Sequence, residues 1–400
     1  MEAAAAVAAA HRREWAFVLA ATVRVTRDLD IAEECVQDAY ERALRSWERS
    51  GVPDNPGAWL TTVARRRALD LRRRDATFTR SLALLVEPPF ADEEPHDVPD
   101  DRLRLIFTCC HPALDPSAQI ALTLRLVCGL RTPEVARGFL VSETAMAARI
   151  TRAKKKIAAA RIPYRVPSAE ELPERVDAVL MAVHLVFTTG HTAPAGQQLV
   201  RSDLVERAID LARMLRALLP ADREVAALLS LILLTNARSA ARTTRGGDLV
   251  LLADQDRTLW DREAIDEGLS LLPSAPSGRF ALMAAIAAAH SAARTFEDTP
   301  WAAIVDLYDG LERAWPSPVV ALNRAAAVGF AYGPRAGLAA LDALGAEPVL
   351  ATYGYLAAAR ADFLSRLGRA GEARAAYEEA LMLTENTVER DFLERRLAAL

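Results

Sequence analysis

The chain has 400 residues, too many for one ordinary core, so two or three domains are expected. It is 52% hydrophobic and 26% charged with a formal net charge of −4, which excludes a disordered chain and argues against indiscriminate polyanion binding. Ala, Leu, Arg and Glu dominate while β-branched runs are scarce, so an all-α fold is predicted.

The distribution of charge says more than its sum. All the lysines of the chain are Lys154, Lys155 and Lys156, and arginine clusters at 65–67 and 72–74. The cysteines Cys35, Cys109, Cys110 and Cys128 form no CxxC pair, which fits a reducing, cytoplasmic setting better than a disulfide framework. Residues 1–10 are small and apolar but lack a basic leader, so they read as a helix start and not a signal peptide. No stretch of about 18 uncharged apolar residues is found, so no membrane span is expected.

The first block, 8–75, is helical and ends in a basic run. Asp30 is expected to cap a helix running to Trp47, with Ile31, Cys35, Tyr40, Leu44 and Trp47 turned to a core. Glu33, Glu34, Gln37, Asp38 and Glu41 would then form a polar, acidic face. A Gly- and Pro-rich loop at 50–57 precedes a helix carrying Trp59, Leu60, Val63 and Leu71 inward and Arg65, Arg66, Arg72 and Arg73 outward. Residues 76–101 are rich in proline and acid and read as an extended linker.

The second block, 102–161, has helix-turn-helix patterning. Thr132-Pro133-Glu134 starts one helix, Leu140-Val141-Ser142 makes a turn, and a second helix carries Met146, Ile150, Ala153 and Ile157 at helical spacing. Arg149, Arg152, Lys154, Lys155 and Lys156 decorate that helix with no acid among them, which points to DNA. Cys109-Cys110-His111 suggests a metal, but no further ligand has zinc-like spacing, so buried thiols are expected.

These residues carry a family resemblance. The helix containing Ala32-Glu33-Glu34-Cys35-Val36-Gln37-Asp38-Ala39-Tyr40 resembles the polymerase-binding helix of sigma-70 factors. The run from Asn55-Pro56-Gly57-Ala58-Trp59-Leu60 to Arg73 resembles their −10-recognising helix, and residues 130–157 their −35-reading helix-turn-helix. The compact two-domain form is similar to the extracytoplasmic-function (ECF) group. Phe107-Thr108-Cys109-Cys110-His111-Pro112-Ala113-Leu114 and the long extension resemble a subgroup with a tetratricopeptide-like C-terminal domain.

The resemblance implies roles for particular residues. Glu34, Gln37 and Asp38 would dock on the β and β′ subunits of core RNA polymerase. Asn55 and Trp59 would belong to the base pocket and melting segment of the −10 element, with Arg65, Arg66, Arg72 and Arg73 on its backbone and edges. Ser142, Thr144, Ala148, Arg149 and Arg152 would face the −35 element, with Lys154 and Lys155 on phosphate. Ala145 and Ala148 stand where relatives often carry Thr and Gln, which leaves fewer direct base hydrogen bonds.

The third block, 170–400, is a helical extension. Gly368, Ala373, Tyr377 and Ala380 have the small-residue pattern of one tetratricopeptide hairpin, and Gly333, Leu338 and Leu341 repeat it loosely upstream. His184 and His191 near Asp203 read as core or loop histidines, since no catalytic motif accompanies them. The acid-rich run around Asp254, Asp256, Arg257 and Asp261 leaves two readings open: an internal lock between helices, or a surface for a regulatory protein.

The expected function is transcription initiation with polymerase and promoter DNA as partners, no cofactor and no covalent chemistry. A stand-alone helix-turn-helix regulator and a tetratricopeptide adaptor are the alternatives.

Overall fold

The computed structural model describes residues 2–82 and 101–400 apart from 140, 169, 194 and 346, without the side chains of 2, 74–82, 137, 138 and 195. The fold is all-α, and the chain divides into two units, Met1–Ala182 and Val183–Leu400.

The first unit begins with α1 (Glu2–Thr26), α2 (Leu29–Ser50) and α3 (Pro56–Leu82), each packed on the other two. The cap of α2 is Asp28 and not Asp30: its carboxylate accepts from the amides of Asp30 and Ile31 at 2.8 and 2.9 Å. An acid one residue before the helix satisfies the orphan amides, which leaves Asp30 for another partner. The helix ends at Gly51, whose φ of +79° suits a residue without Cβ.

Burial on α2 follows Ala32, Val36, Ala39, Ala43 and Trp47, so Leu44, expected inside, is 43% exposed. Cys35 and Tyr40, also expected inside, are buried beside that seam. On α3 the seam is Leu60, Ala64 and Ala68, at an i, i+4, i+8 spacing, and Trp59, Val63 and Leu71 are half-buried flanks. This helix runs to Leu82, past the point where the linker was expected to begin. The remainder of the predicted linker, 83–100, lies outside the described residues.

Next come α4 (Asp101–Cys109), α5 (Pro116–Leu122) with a π-helical turn at Thr123–Val127, α6 (Thr132–Gly138) and α7 (Glu143–Ala159). Helix α4 and the π-turn pack on α1. Trp15 is the centre of that contact: its indole N–H donates to the Leu126 carbonyl at 3.1 Å, and the Arg125 guanidinium lies 5.7 Å above its ring. Gly129 completes the seat, because its φ is +71° and a Cβ there would stand 2.9 Å from the indole.

The unit boundary falls inside α8 (Leu172–His191). The second unit continues with α9 (Ser202–Leu218), α10 (Arg223–Asn236), α11 (Arg262–Ser270), α12 (Arg279–Ala292), α13 (Trp301–Ala314) and α14 (Pro318–Tyr332). It ends with α15 (Pro334–Asp342), α16 (Gly354–Arg366), α17 (Ala370–Leu383) and α18 (Thr387–Ala398), each packed on its neighbour in sequence. By length and composition residues 223–241 could cross a membrane, yet 61% of that window is buried within the fold, as in a core helix.

Two short strands, β1 (Ala195–Gly196) and β2 (Glu385–Asn386), pair in parallel. They are held by Asn386, a fully buried amide that donates to the carbonyls of Ala193 and Gln198 at 2.9 and 3.0 Å. Its oxygen also caps α18, so one side chain satisfies both ends of the crossing. In the α16–α17 hairpin Ala373, Tyr377 and Ala380 are buried, and Gly368 turns the chain at φ +72°.

Candidate nucleic-acid interface

On α3, Asn55 caps the helix by accepting from the Ala58 amide at 3.0 Å, and Trp59 stands edge-on to Trp47 at 5.7 Å. The indole is thereby fixed at the start of the helix with part of its surface open. Arg65, Arg66, Arg72 and Arg73 are all exposed, and Arg72 donates to the Val25 carbonyl at 3.1 Å. The buried Leu60–Ala64–Ala68 seam is what turns this cationic set outward. Arg67 is excluded from it, since it pairs at 2.9 Å with Asp38 of α2. On α2, Glu34 and Gln37 are exposed and Asp38 is half-buried by that pairing.

Helices α6 and α7 form the expected helix-turn-helix pair. The Glu134 carboxylate accepts from the Arg131 amide at 2.7 Å at the start of α6, and Ser142 caps α7 through the Ala145 amide at 3.2 Å. Met146, Ile150, Ala153 and Ile157 are buried as the spacing required. Thr144, Ala148, Arg152 and Lys155 are therefore displayed together with Ser142 on the open side. Arg149 is half-buried, its guanidinium 5.4 Å above the Phe139 ring.

Lys154 is placed differently from its neighbours. Its side chain is only 10% exposed and its ammonium bonds Asp30 at 2.7 Å and Glu33 more closely still. Glu33 is itself buried and also pairs with Arg125 at 2.7 Å. Burial opposes the ammonium charge, but the two carboxylates outweigh it and hold the Lys154 pKa above its ordinary value. In this arrangement the counter-charge for one of the three lysines comes from α2, and the group is covered and not offered to phosphate.

This cluster was missed from the sequence, where Glu33 was grouped with the exposed acids. The signal was its position: Leu29, Ala32, Glu33 and Val36 share one apolar stripe, and a carboxylate on such a stripe requires a buried cation.

The other candidate groups have structural roles. Cys109 and Cys110 are fully buried, and burial pushes the Cys110 thiol up to about 11. Among the described residues no group of three or more His, Cys, Asp or Glu is placed to hold a metal ion. Asp203 bonds Arg201 at 3.1 Å, while His184 stands edge-on to Phe280 and His191 stacks on Phe187. In the acid-rich run, Asp256 accepts from Thr258, Asp261 caps α11 through Ala264, and Arg257 donates to the carbonyls of His290 and Ala293 at 3.0 and 2.6 Å. These bonds favour the internal-lock reading of that run.

Comparison with known proteins bears on the same segments. Residues 11–77 match the family described as Sigma-70 region 2, residues 104–157 match Sigma-70, region 4, and residues 175–276 match a family of unknown function (DUF6596). Uncharacterized protein R00370 of Rhizobium meliloti (strain 1021) is 43% identical over 394 residues, covering 95% of this chain and 92% of that protein. No solved structure matches.

Proposed function

Because residues 11–77 and 104–157 match sigma-70 regions 2 and 4, we propose that the chain is an alternative sigma factor of the ECF type that selects its own promoter class. Core polymerase docks on the α2 face of Glu34, Gln37 and Asp38. Asn55, Trp59 and the arginines of α3 engage the −10 element. Ser142, Thr144, Ala148, Arg149, Arg152 and Lys155 engage the −35 element from the major groove, where short polar groups and Arg near a helix N-terminus read base edges. Lys154 joins them on phosphate only after leaving Asp30 and Glu33.

The observation that carries this reading is the pair of cationic helix faces, each turned outward by its own apolar seam. A cytoplasmic setting follows from the same role. The extension from about residue 170 is a tetratricopeptide-like regulatory domain in this proposal, supported by the α16–α17 hairpin.

The test is run-off transcription with purified core polymerase on genomic fragments. Transcripts starting at discrete sites only when this protein is added are expected; neither association with polymerase nor any transcript would overturn the proposal. Truncation after Arg161 tests the extension, since unchanged promoter activity excludes an essential role for it.

A further inference from the structure

Helices α8, α10, α12, α13 and α14 of the second unit surround a cavity of about 380 Å³. Its polar lining carries charge of one sign. Arg238, His184, His290 and Tyr308 face it, and among the described residues no carboxylate does.

Arg238 is the unusual member. Its guanidinium makes no ion pair or hydrogen bond among the described residues, and the charges nearest to it are those of Arg242 and Arg257. Those two have bonds of their own: Arg257 through Nη1 to the carbonyls of His290 and Ala293, with its buried Nη2 unpartnered among the described residues, and Arg242 to the His191 carbonyl and, at 3.2 Å, the Thr192 hydroxyl. His290 adds a buried Nδ1 with no hydrogen-bond partner among the described residues. A half-buried cation beside two like charges is unfavourable unless an anion reaches it, and an unpaired ring nitrogen adds to that cost.

The lining also limits the ligand. Burial first, then the neighbouring arginines, push His184 and His290 down to about 4, so both are neutral near pH 7. Arg238 is then the one formal charge on the wall, which matches a monoanion better than a phosphate dianion. Thr188, Thr235, Ser317 and Asn323 add neutral polar groups, and the apolar part of the wall is formed by residues such as Leu231, Ile286, Leu311, Trp315 and Val320. The volume lies toward the small end of ligand sites, which span roughly 300–1,000 Å³.

We propose that this cavity binds a small organic monocarboxylate, its carboxylate on Arg238 and His290 and its apolar body against Ile286, Leu311 and Trp315. A planar guanidinium and a carboxylate form paired, charge-assisted bonds, and a compact hydrocarbon body fills the remainder. The site goes beyond the promoter-binding reading and does not depend on it, so its test requires no transcription.

The experiment is calorimetric titration of the full-length protein with 4-phenylbutyrate and octanoate, and with 4-phenylbutanol as a neutral counterpart. Saturable binding of at least one acid is expected, at least about 10-fold tighter than the alcohol, as one charge-assisted contact provides. Arg238→Gln should remove that preference and leave the alcohol unaffected. Val319→Trp, at the cavity wall, leaves Arg238 in place and should abolish binding of acid and alcohol alike; circular dichroism reports whether each variant is folded. The proposal is overturned if neither acid binds at millimolar concentration, or if folded Arg238→Gln keeps the acid preference. Should Arg238→Gln unfold, undiminished acid binding by Val319→Trp overturns it.

Discussion

The ammonium of Lys154 on α7 lies 2.7 Å from a carboxylate oxygen of Asp30 on α2, joining the segment that matches sigma-70 region 4 to the one that matches region 2. The −10 and −35 elements are centred roughly 25 base pairs apart, about 85 Å of B-DNA at 3.4 Å per pair. A chain that reads both at once has to part these residues. Lys154→Ala leaves Glu33 buried with Arg125 alone, so it should weaken the closed arrangement by about 1–3 kcal/mol. Fluorophores at positions 48 and 156 would report it as reduced energy transfer in the free protein. An unchanged transfer distribution would rule out a clasp.

The lysines of α7 should differ in their salt response. Lys155 is exposed, and replacing it with alanine should weaken promoter binding evenly across sequences and reduce the log–log salt slope by about 1. Arg149→Ala should instead relax sequence preference, by about 1–3 kcal/mol at one base pair. Equal effects of the two variants on all sequences would contradict base reading by Arg149.

If the proposed α2 face binds polymerase, Gln37 should separate that binding from folding. That side chain is exposed, whereas Asp38 is tied to Arg67 across two helices. Gln37→Ala should lower affinity for core polymerase without changing the melting temperature, while Asp38→Ala should lower both. Wild-type copurification of both variants with polymerase would remove this face from the interface.

A packing prediction concerns Phe363, whose ring lies against Gly329 and Gly337. A Cβ at Gly329 would stand 2.1 Å from the ring, and the ring is buried without room to retreat. Gly329→Ala should destabilise the second unit by about 1–3 kcal/mol, from overpacking that outweighs the helix propensity gained. Urea denaturation measures this, and a stabilised variant would contradict the packing.

Acid should loosen the second unit. Burial and nearby arginines push His184 and His290 down to about 4, and His191 down to about 3, from an ordinary value of 6.5. The unfolded chain therefore takes up protons at a higher pH than the fold does. Their contribution is complete above 6.5 and is lost as pH falls through 6.5 toward 4, by up to about 1.4 kcal/mol per pH unit for each histidine. Melting temperatures measured from pH 7 to 4.5 should decline, and His290→Gln should decline less steeply.

Much of this protein could be read from local order in its sequence. Helical class follows from propensity, and the helix-turn-helix from Pro133, the Ser142 cap and the three- and four-residue spacing of Met146, Ile150, Ala153 and Ile157, because caps and seams act within a few residues. The outward arginines of α3 were legible for the same reason. Three-dimensional packing decided the rest. Glu33 and Lys154 stand 121 residues apart, and neither one's periodicity names the other. Leu44 has the chemistry of a core residue, but the packing of α1 and α3 on α2 leaves it 43% exposed. The guanidinium of Arg238, unpaired among the described residues, is visible only once several helices close around it, since whether a charge is compensated depends on the distance between side chains and not on their order along the chain.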